Sequence, residues 1–244
     1  MIIKIESDKN EFIKDVSKLK QKKYRNLTNQ YLVEGPHLIK EALQAGVLKK
    51  LFFVNDIDFD FVDSYQVSEK VMKKLSSVES LQGIIGVCEK KSQVFLSDKI
   101  LLLDNVQDPG NIGTLMRSAV AFGFNTIVAD SSVDFYNDKV IRSSQGAVMK
   151  INLINMNILD FIERNPDYRY FVTDLRSNIF LEDHDLSYNK IGIILGNEGQ
   201  GVSDDVIRSV SNSLKIRIQD MESLNVGVAG SIIMYEVYKR GIKL

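Results

Sequence analysis

From residue 100 onward the sequence alternates short apolar segments with helical ones, and this alternation restricts the fold more than any other feature. Strand-like apolar segments occur at ILLLD (100–104), NTIVAD (125–130), YRYFVTDL (168–175), KIGIILG (190–196) and LKIRI (214–218). Helical patterns cover 109–123 and roughly 225–240. Such an order is typical of a mostly parallel sheet with crossover helices. The sequence therefore predicts an α/β domain over residues 99–244.

The first part of the chain indicates a smaller α+β domain over residues 1–92. Short strands and amphipathic helices are mixed there without a regular alternation. Helices are predicted at 10–23, 37–46 and 67–75, and strands at 31–35, 50–54 and 83–89. Residues 90–98 break the pattern, and we place the linker between the two domains there.

Composition excludes several classes of protein. A hydrophobic fraction of 44% and a charged fraction of 26% are ordinary for a globular chain and exclude a disordered one. No apolar run approaches the ~20 residues of a membrane helix, and the N-terminus lacks a secretory pattern. The single cysteine, Cys88, allows neither an internal disulfide nor a zinc cluster. We therefore expect a protein of the reducing cytoplasm.

Charge is balanced overall, but one segment is strongly basic. The chain has 31 basic and 32 acidic residues, which argues against a protein that coats duplex nucleic acid by bulk electrostatics. Residues 14–25 (KDVSKLKQKKYR) hold six basic residues and one acidic residue. The segment is either a solvated helix face or a strip that contacts phosphates. In the second case Lys18, Lys22, Lys23 and Arg25 are the candidate RNA-binding residues.

Three segments rich in Gly, Asn, Ser and Glu lie where an open parallel sheet binds its ligands, beyond the carboxyl ends of strands. They are DNVQDPGNIGTLMR (104–117), LGNEGQG (195–201) and MESLNVGVAGSIIMYEVYKR (221–240). The second segment has neither the spacing of a dinucleotide-binding loop nor that of a P-loop. The third continues into a helix that is small or apolar almost all round, which indicates burial on several sides.

Each segment offers candidate functional side chains, and each has a structural explanation as well. Asn111 could cap the helix that follows its turn, with Arg117 in solvent. Glu198 lies between two glycines, where a tight turn does not require a carboxylate. Ser223 and Asn225 could form an ordinary entry to a core helix.

Other catalytic motifs are absent. The two histidines, His37 and His184, lie far apart and in no metal-binding or triad spacing. No nucleophile elbow, zinc-protease or kinase pattern occurs. We expect no metal ion, and zinc hydrolysis, acyl transfer and kinase chemistry are disfavoured.

Taken together, DPGNIGTLMR, ILGNEGQGV and ESLNVGVAGSIIMYE resemble, in order and spacing, the three motifs of the SpoU/TrmH family. This family comprises S-adenosylmethionine-dependent RNA 2′-O-methyltransferases of the SPOUT class, and the resemblance spans about residues 100–240. The first part resembles the family's substrate-binding domain, a ribosomal-protein-like fold. The stretches that carry this second resemblance are YLVEGPHLIKEAL (31–43) and VSEKVMKKLSSVESLQGIIGV (67–87).

The resemblance implies a trefoil-knotted α/β domain, S-adenosylmethionine as cofactor, and a homodimer with its sites near the subunit interface. The implied catalytic positions are Asn111, Arg117, Glu198, Ser223 and Asn225. The residues implied to hold the adenosyl group are Leu195, Gly196, Ile218 and Leu224. One departure is that Gln219 stands where many relatives have proline, in a shortened loop. Which of residues 219–222 contact the adenine is therefore open.

The resemblance also implies the reaction. Arg117 would activate the ribose hydroxyl, either as a base or by clamping the adjacent phosphate so that its charge lowers the hydroxyl pKa. Ribosomal RNA is the expected substrate, with transfer RNA second. The alternatives are a non-catalytic RNA-binding or ribosome-assembly factor on the same fold, and a knotted enzyme that methylates a base. The Asn-Ile-Gly…Arg and Ser-Leu-Asn motifs favour ribose methylation.

Overall fold

The computed structural model describes residues 3–55, 63–91 and 95–241. Up to residue 91 it contains short strands and helices in a mixed order. The strands are β1 (Ile3–Ile5), β2 (Gln30–Glu34), β3 (Leu48–Phe53), β4 (Ser64–Val67) and β5 (Ile84–Glu89). The helices are α1 (Glu11–Lys18), α2 (Lys22–Thr28), α3 (Pro36–Gln44) and α4 (Glu69–Leu75).

From residue 95 onward, strands and helices alternate along the chain. The strands are β6 (Lys99–Asp104), β7 (Thr126–Asp130), β8 (Asn152–Asn155), β9 (Arg169–Thr173), β10 (Ile191–Leu195) and β11 (Ser213–Leu214). The helices are α5 (Pro109–Phe122), α6 (Asp138–Ser144), α7 (Ile158–Arg164), α8 (Asp204–Ser209) and α9 (Val226–Gly241). Single 3-10 turns lie at Ala147–Met149 and Leu181–Asp183.

Backbone contacts divide the described residues into two compact units. The first unit holds those of 1–92 together with Tyr136–Met149, and the second holds those of 93–135 and 150–244. The boundaries predicted above put 136–149 in the second domain. In the structure α6 packs against β2, and the ring centroids of Tyr31 and Tyr136 are 4.8 Å apart. The predicted linker, 90–98, lies partly outside the described residues.

The sheet of the first unit is mixed and has the order β1-β4-β3-β5-β2. β4 is parallel to both of its neighbours, whereas β5 is antiparallel to both of its own. One face of this sheet packs against α1 and α4 through a buried apolar cluster that includes Ile13, Phe52, Val71 and Met72. The small α+β domain is therefore confirmed, although β1 and β4 were not predicted.

The helix predicted over residues 10–23 is wrong in one respect, because the chain forms α1 and α2 with a break between them. The guanidinium of Arg25 donates to the carbonyl oxygens of Leu19 (3.0 Å) and Lys20 (2.7 Å). Helix ends leave such carbonyls without intrahelical partners. Arg25 thus stabilises the end of α1, and hydrophobic periodicity alone does not reveal that contact.

The sheet of the second unit has the order β11-β9-β10-β6-β7-β8, and its pairs are parallel throughout. This confirms the α/β class and the parallel sheet. The short, half-buried β8 and the seven-residue α6 and α7 carry weak patterns and were not predicted. The trefoil knot stays a prediction from the family resemblance.

The strand predicted over 214–218 is wrong in length. β11 consists of Ser213 and Leu214 alone, which pair with the last two residues of β9. Beyond Leu214, β9 has already ended and no longer pairs with this segment. Lys215 instead makes a single bridge with Phe180. Ile216 and Ile218 instead face the cavity described below.

Helices α5 and α9 pack against each other beside this sheet. A Cβ atom at Gly230 would lie 2.4 Å from Leu115 Cδ2 and 2.5 Å from Leu195 Cδ1, so a larger residue would require these leucine side chains to shift. Among the described residues, no helix is both long and apolar enough to cross a membrane.

Candidate active site

Three chain segments meet at the carboxyl end of the parallel sheet. β6 and β10 are neighbours, so their last residues, Asp104 and Leu195, bring the turn before α5 beside the glycine-rich turn 196–201. The third segment precedes α9, which packs along α5. The three motifs singled out in the sequence therefore converge at one edge of the sheet.

A hydrogen-bond network joins one side chain from each of these segments. The Nδ2 group of Asn111 donates to Oε1 of Glu198 over 2.9 Å. The Nδ2 group of Asn225 donates to Oδ1 of Asn111 over 2.8 Å. In turn, Oδ1 of Asn225 accepts from the backbone N–H of Gly227 over 2.9 Å, at the start of α9. We call Asn111, Glu198 and Asn225 the motif network; it joins residues 87 and 114 positions apart.

Glu198 holds the turn before α5 through its carboxylate. Its two oxygens accept the backbone N–H groups of Asp108 (3.1 Å) and Gln107 (3.2 Å). Burial raises the pKa of Glu198, but these hydrogen bonds and the one from Asn111 outweigh burial, so the pKa lies below its ordinary value of 4.5. Glu198 is therefore ionised at neutral pH, and its carboxylate stabilises the turn before α5 by accepting two backbone hydrogen bonds.

The cap of α5 is Asp108 and not Asn111. Oδ1 of Asp108 accepts the backbone N–H of Asn111 over 2.8 Å, and Pro109 occupies the first helical position. The structural alternative for Asn111, a helix cap, is therefore wrong. Its amide is instead committed to the motif network.

Sequence reasoning missed two residues that shape this region. Asn197 fixes the glycine-rich turn: its Oδ1 accepts the N–H groups of Gly199 and Gln200, and its Nδ2 donates to the carbonyl of Asn105 over 2.9 Å. Asp104 accepts the backbone N–H of Ser203 over 2.7 Å. An Asn beside glycines is a known turn signal and could have identified Asn197. Nothing local singles out Asp104.

A cavity of about 670 Å³ opens beside the motif network. Its size lies within the range of small-molecule sites. Among its lining residues are seven of the nine predicted catalytic and cofactor-binding positions: Leu195, Gly196, Glu198, Ile218, Ser223, Leu224 and Asn225. Residues 219–222 do not line it, although Ile218 and Ser223 on either side do. The departure at Gln219 thus falls outside the cavity wall.

Gly196 lies against backbone at the base of this cavity. A Cβ atom there would be 2.1 Å from the carbonyl carbon of Gly201 and 2.1 Å from the nitrogen of Val202. Any side chain at residue 196 would therefore displace the turn itself. The glycine is required by close approach of the backbone.

Arg117 is outside the cavity. It is exposed on α5, and neither an ion pair nor a hydrogen bond of its guanidinium occurs within the described residues. Asn111, on the same helix, is buried in the motif network and also does not line the cavity. The structure thus separates the two candidates of the first motif: Asn111 braces the site, and Arg117 is free to contact another molecule.

A second group of polar residues at the cavity was not predicted. Arg176 bridges Asp174 and Asp204, with its Nε 3.0 Å from Asp174 Oδ1 and its Nη2 3.0 Å from Asp204 Oδ1. This ion pair links the end of β9 to the start of α8, and these three residues line the cavity. Their position after a parallel strand is the signal that could have identified them.

The basic segment of the first unit is largely used by the fold itself. Lys18 pairs with Asp15 at 2.8 Å. Arg25 is buried and donates to the carbonyls that end α1, so its predicted role as a surface RNA contact is wrong. Lys22 and Lys23 are exposed on α2. These two lysines are the members of the predicted set whose charges remain accessible without breaking an ion pair.

Comparison with known proteins adds independent evidence. A family model described as the SpoU rRNA Methylase family matches residues 98–235, more than half of the chain. A second, described as the MRM3-like substrate binding domain, matches residues 10–86. The two matches fall on the parts of the chain that form the second and first sheets.

The chain is also similar to individual proteins along nearly its whole length. It is 33% identical to the 23S rRNA (guanosine(2553)-2′-O)-methyltransferase RlmP of Bacillus subtilis, covering 96% of this chain and 98% of that protein. A solved RNA 2′-O ribose methyltransferase has a TM-score of 0.80 at 26% identity and covers 98% of this chain and 99% of its own. An rRNA methyltransferase from Sinorhizobium meliloti shares the fold, with a TM-score of 0.87 at 24% identity and 99% of both chains covered.

Fold, motifs and family match define the class of protein, an RNA methyltransferase of the SpoU type. The chain belongs to the SpoU rRNA methylase family, whose enzymes use S-adenosylmethionine to methylate ribosomal or transfer RNA. The predictions of the family, of an enzyme and of this cofactor are thereby confirmed. The roles of individual site residues stay predictions.

Proposed function

We propose that this protein transfers a methyl group from S-adenosylmethionine to the 2′-hydroxyl of a ribose in ribosomal RNA. The observation that carries the proposal is the motif network, which ties the turn before α5 to the two other segments, whose residues line one cavity. A protein that merely kept the fold for RNA binding would not need an ionised carboxylate linked through the buried amide of Asn111 to Asn225 beside an open cavity. The buried amide of Asn111 is the stringent member, because a buried polar group must find partners.

The residues at the cavity fit the cofactor. Leu195, Ile218 and Leu224 provide apolar surface for the adenine, and Gly196 lets the turn at residues 201–202 pack against the end of β10. When bound, the cofactor supplies a methyl group activated by attachment to a positively charged sulfur. The protein therefore has to orient the acceptor hydroxyl and assist loss of its proton.

We assign these two tasks to Arg117 and to the start of α9. Arg117 binds the phosphate next to the acceptor ribose, and its charge lowers the pKa of the 2′-hydroxyl. A guanidinium holds its proton firmly and is a poor base, which favours the clamp over direct proton abstraction. The hydroxyl of Ser223 lies at the cavity and can orient the ribose by a hydrogen bond. The oxygen–carbon bond forms as the carbon–sulfur bond breaks, and the proton leaves to solvent.

We also propose that the protein is a homodimer that pairs through α9. One side of this helix is buried in its own unit, whereas the other exposes an apolar stripe of Val228, Ile232, Tyr235 and Tyr238, each 36–48% accessible. Such a stripe indicates an interaction surface. Arg117 lies on α5, which packs along α9, and does not line the cavity of its own chain. In the proposed dimer Arg117 is therefore available to contact RNA bound next to the site of the second subunit.

The first unit is the proposed source of substrate selection. Its match to a substrate-binding domain and the exposed Lys22 and Lys23 support a contact with RNA backbone. Structured RNA is recognised by shape, unpaired bases and 2′-hydroxyls, which is compatible with the chain's nearly neutral charge. Because RlmP acts on guanosine 2553 of 23S rRNA, the equivalent nucleotide is the first to examine. The cytoplasmic location stays a prediction.

The test is transfer of a labelled methyl group by the purified full chain. Unmodified 23S rRNA, 16S rRNA and bulk transfer RNA are incubated separately with methyl-labelled S-adenosylmethionine, and the RNA is digested to nucleosides for mass spectrometry. We expect a 2′-O-methylated nucleoside in 23S rRNA. Label on a base, or in transfer RNA alone, would contradict the proposal, and binding of RNA without any transfer would support the non-catalytic alternative. Sedimentation velocity of the same sample tests the dimer.

A further inference from the structure

S-adenosylmethionine carries three charged groups, namely a sulfonium, an ammonium and a carboxylate. Within the described part of the chain, five charged side chains line the cavity: Asp174, Arg176, Glu198, Asp204 and Lys215. The contacts that each of these five side chains makes within the protein determine which of them can pair with a charged group of the ligand. A charged group already satisfied by protein partners gains little from a further one.

Four of the five are committed within the protein. Arg176 is shared between Asp174 and Asp204, both at 3.0 Å, so its positive charge is offset and the three residues together are negative. The oxygens of Glu198 accept two backbone N–H groups and the amide of Asn111. None of these four offers an uncompensated positive charge to the cavity.

Lys215 differs from the other four. Over the described residues, no acidic side chain lies within ion-pair distance of its ammonium group. The ammonium instead lies 5.0 Å from the ring centroid of Phe180. Arg217 stacks on the same ring at 3.7 Å and takes the nearby acid, with its Nε 3.1 Å from Glu182 Oε1. The fold thus neutralises Arg217 and leaves Lys215 as a cation at the cavity wall.

The position of Lys215 is also fixed by its backbone. Its N–H donates to the carbonyl of Ile179 over 3.1 Å, and its carbonyl accepts the N–H of Leu181 over 2.8 Å. These bonds hold the residue just beyond β11, opposite Phe180. A half-buried cation on a fixed backbone, with its ammonium over an aromatic ring, loses less freedom when it binds an anion than a fully exposed lysine does.

We propose that Lys215 binds the carboxylate of the methionine part of S-adenosylmethionine. The inference rests on the proposed function, because it presumes that this cavity holds the cofactor. Lys215 is then a positioning residue: it orients the amino-acid end of the ligand and does not contact the reacting atoms. Its contribution should therefore be present for any ligand with that carboxylate and absent for one without it.

The test compares two ligands that differ in the carboxylate alone, S-adenosylmethionine and decarboxylated S-adenosylmethionine. Their affinities are measured by isothermal titration with the full chain as wild type, Lys215→Met and Lys215→Arg. We expect Lys215→Met to bind S-adenosylmethionine about tenfold more weakly than the wild type does, which corresponds to about 1.4 kcal/mol. Binding of the decarboxylated ligand should be unchanged. Lys215→Arg should restore most of the preference for the carboxylate.

Lys190→Met is the matched control, because Lys190 pairs with Asp167 and does not line the cavity. It should leave both affinities unchanged. Equal weakening of both ligands by Lys215→Met, or no weakening of either, would overturn the inference while leaving the proposed function intact. If the wild type binds neither ligand, the proposed function fails and the inference fails with it.

Discussion

The basic segment of the first unit and the motif network of the second both attract attention in the sequence, yet the fold uses them in opposite ways. Over residues 14–25 three of the six positive charges are drawn into local contacts: Lys14 pairs with Glu11, Lys18 with Asp15, and Arg25 is buried against carbonyls. In the motif network, residues that look like ordinary turn formers come from three distant segments to one cavity. A run of like charge in the sequence does not show where the side chains lie in the fold. Polar residues that follow parallel strands do, because the carboxyl ends of these strands lie together.

That difference has a physical basis. Lysine and arginine side chains are long, and neighbouring acids or carbonyls satisfy them easily. Short amides such as those of Asn111 and Asn225 reach only what the backbone brings to them. When such residues form a connected network beside a cavity, the backbone segments that carry them must already lie close together. Function is therefore better argued from the short polar side chains of this protein than from its long charged ones.

The largest expected effect is that of Arg117→Ala, which removes the one predicted catalytic charge that the fold leaves unused. We expect the rate of methyl transfer to fall by a factor of at least about 100, since a positioned donor to a developing anion contributes that much. Affinity for S-adenosylmethionine should change by no more than a few-fold, because Arg117 does not line the cavity. Single-turnover transfer and isothermal titration measure the two quantities.

Arg164→Ala is the matched control for this prediction. Arg164 is an exposed arginine at the end of α7 and does not line the cavity, and its loss should leave transfer unchanged. A large loss of cofactor affinity in Arg117→Ala would contradict the proposed role, because it would place the guanidinium in the cofactor site.

An intermediate effect is expected for Asn111→Leu, which breaks the motif network at its centre. The substitution keeps the branched side-chain shape but removes the amide donor to Glu198 and the acceptor for Asn225. Glu198 keeps its two backbone N–H donors, and Oδ1 of Asn225 keeps the N–H of Gly227. We expect the free energy of unfolding to fall by about 2–3 kcal/mol. Urea denaturation followed by circular dichroism measures this change.

The exposed Asn55 provides the corresponding control. Asn55→Leu should change the free energy of unfolding by less than about 0.5 kcal/mol, as is usual for surface positions. If Asn111→Leu changed the free energy of unfolding as little as Asn55→Leu does, the hydrogen bonds of the network would not contribute to stability. The contrast drawn above between the network and the basic segment would then be wrong.

Much of the fold could be predicted from the sequence, because long apolar strands such as ILLLD and KIGIILG have few alternatives. The candidate site could be predicted as a set of residues but not as a geometry. The contact of Asn111 with Glu198, 87 residues away, depends on the approach of β6 and β10, whereas the cap of α5 by Asp108 is local. Likewise, the break between α1 and α2 depends on where the side chain of Arg25 ends, which hydrophobic periodicity does not encode.

The smallest expected effect separates the accessible lysines from the buried arginine of the basic segment. The double substitution Lys22→Gln, Lys23→Gln should weaken RNA binding several-fold and reduce the slope of log affinity against log salt by about 1 to 2, because each phosphate contact releases about one counterion. Stability should stay unchanged, since both side chains are exposed. Filter binding at several salt concentrations measures the slope.

Arg25→Met serves as the comparison within the same segment. It removes a buried guanidinium that donates hydrogen bonds to two backbone carbonyls, so it should lower the free energy of unfolding by about 2 kcal/mol. At temperatures where the variant is folded, its salt slope should match that of the wild type. If instead Arg25→Met changed the slope and the double lysine variant did not, RNA would contact the end of α1, and the division of this segment into structural and accessible charges would be wrong.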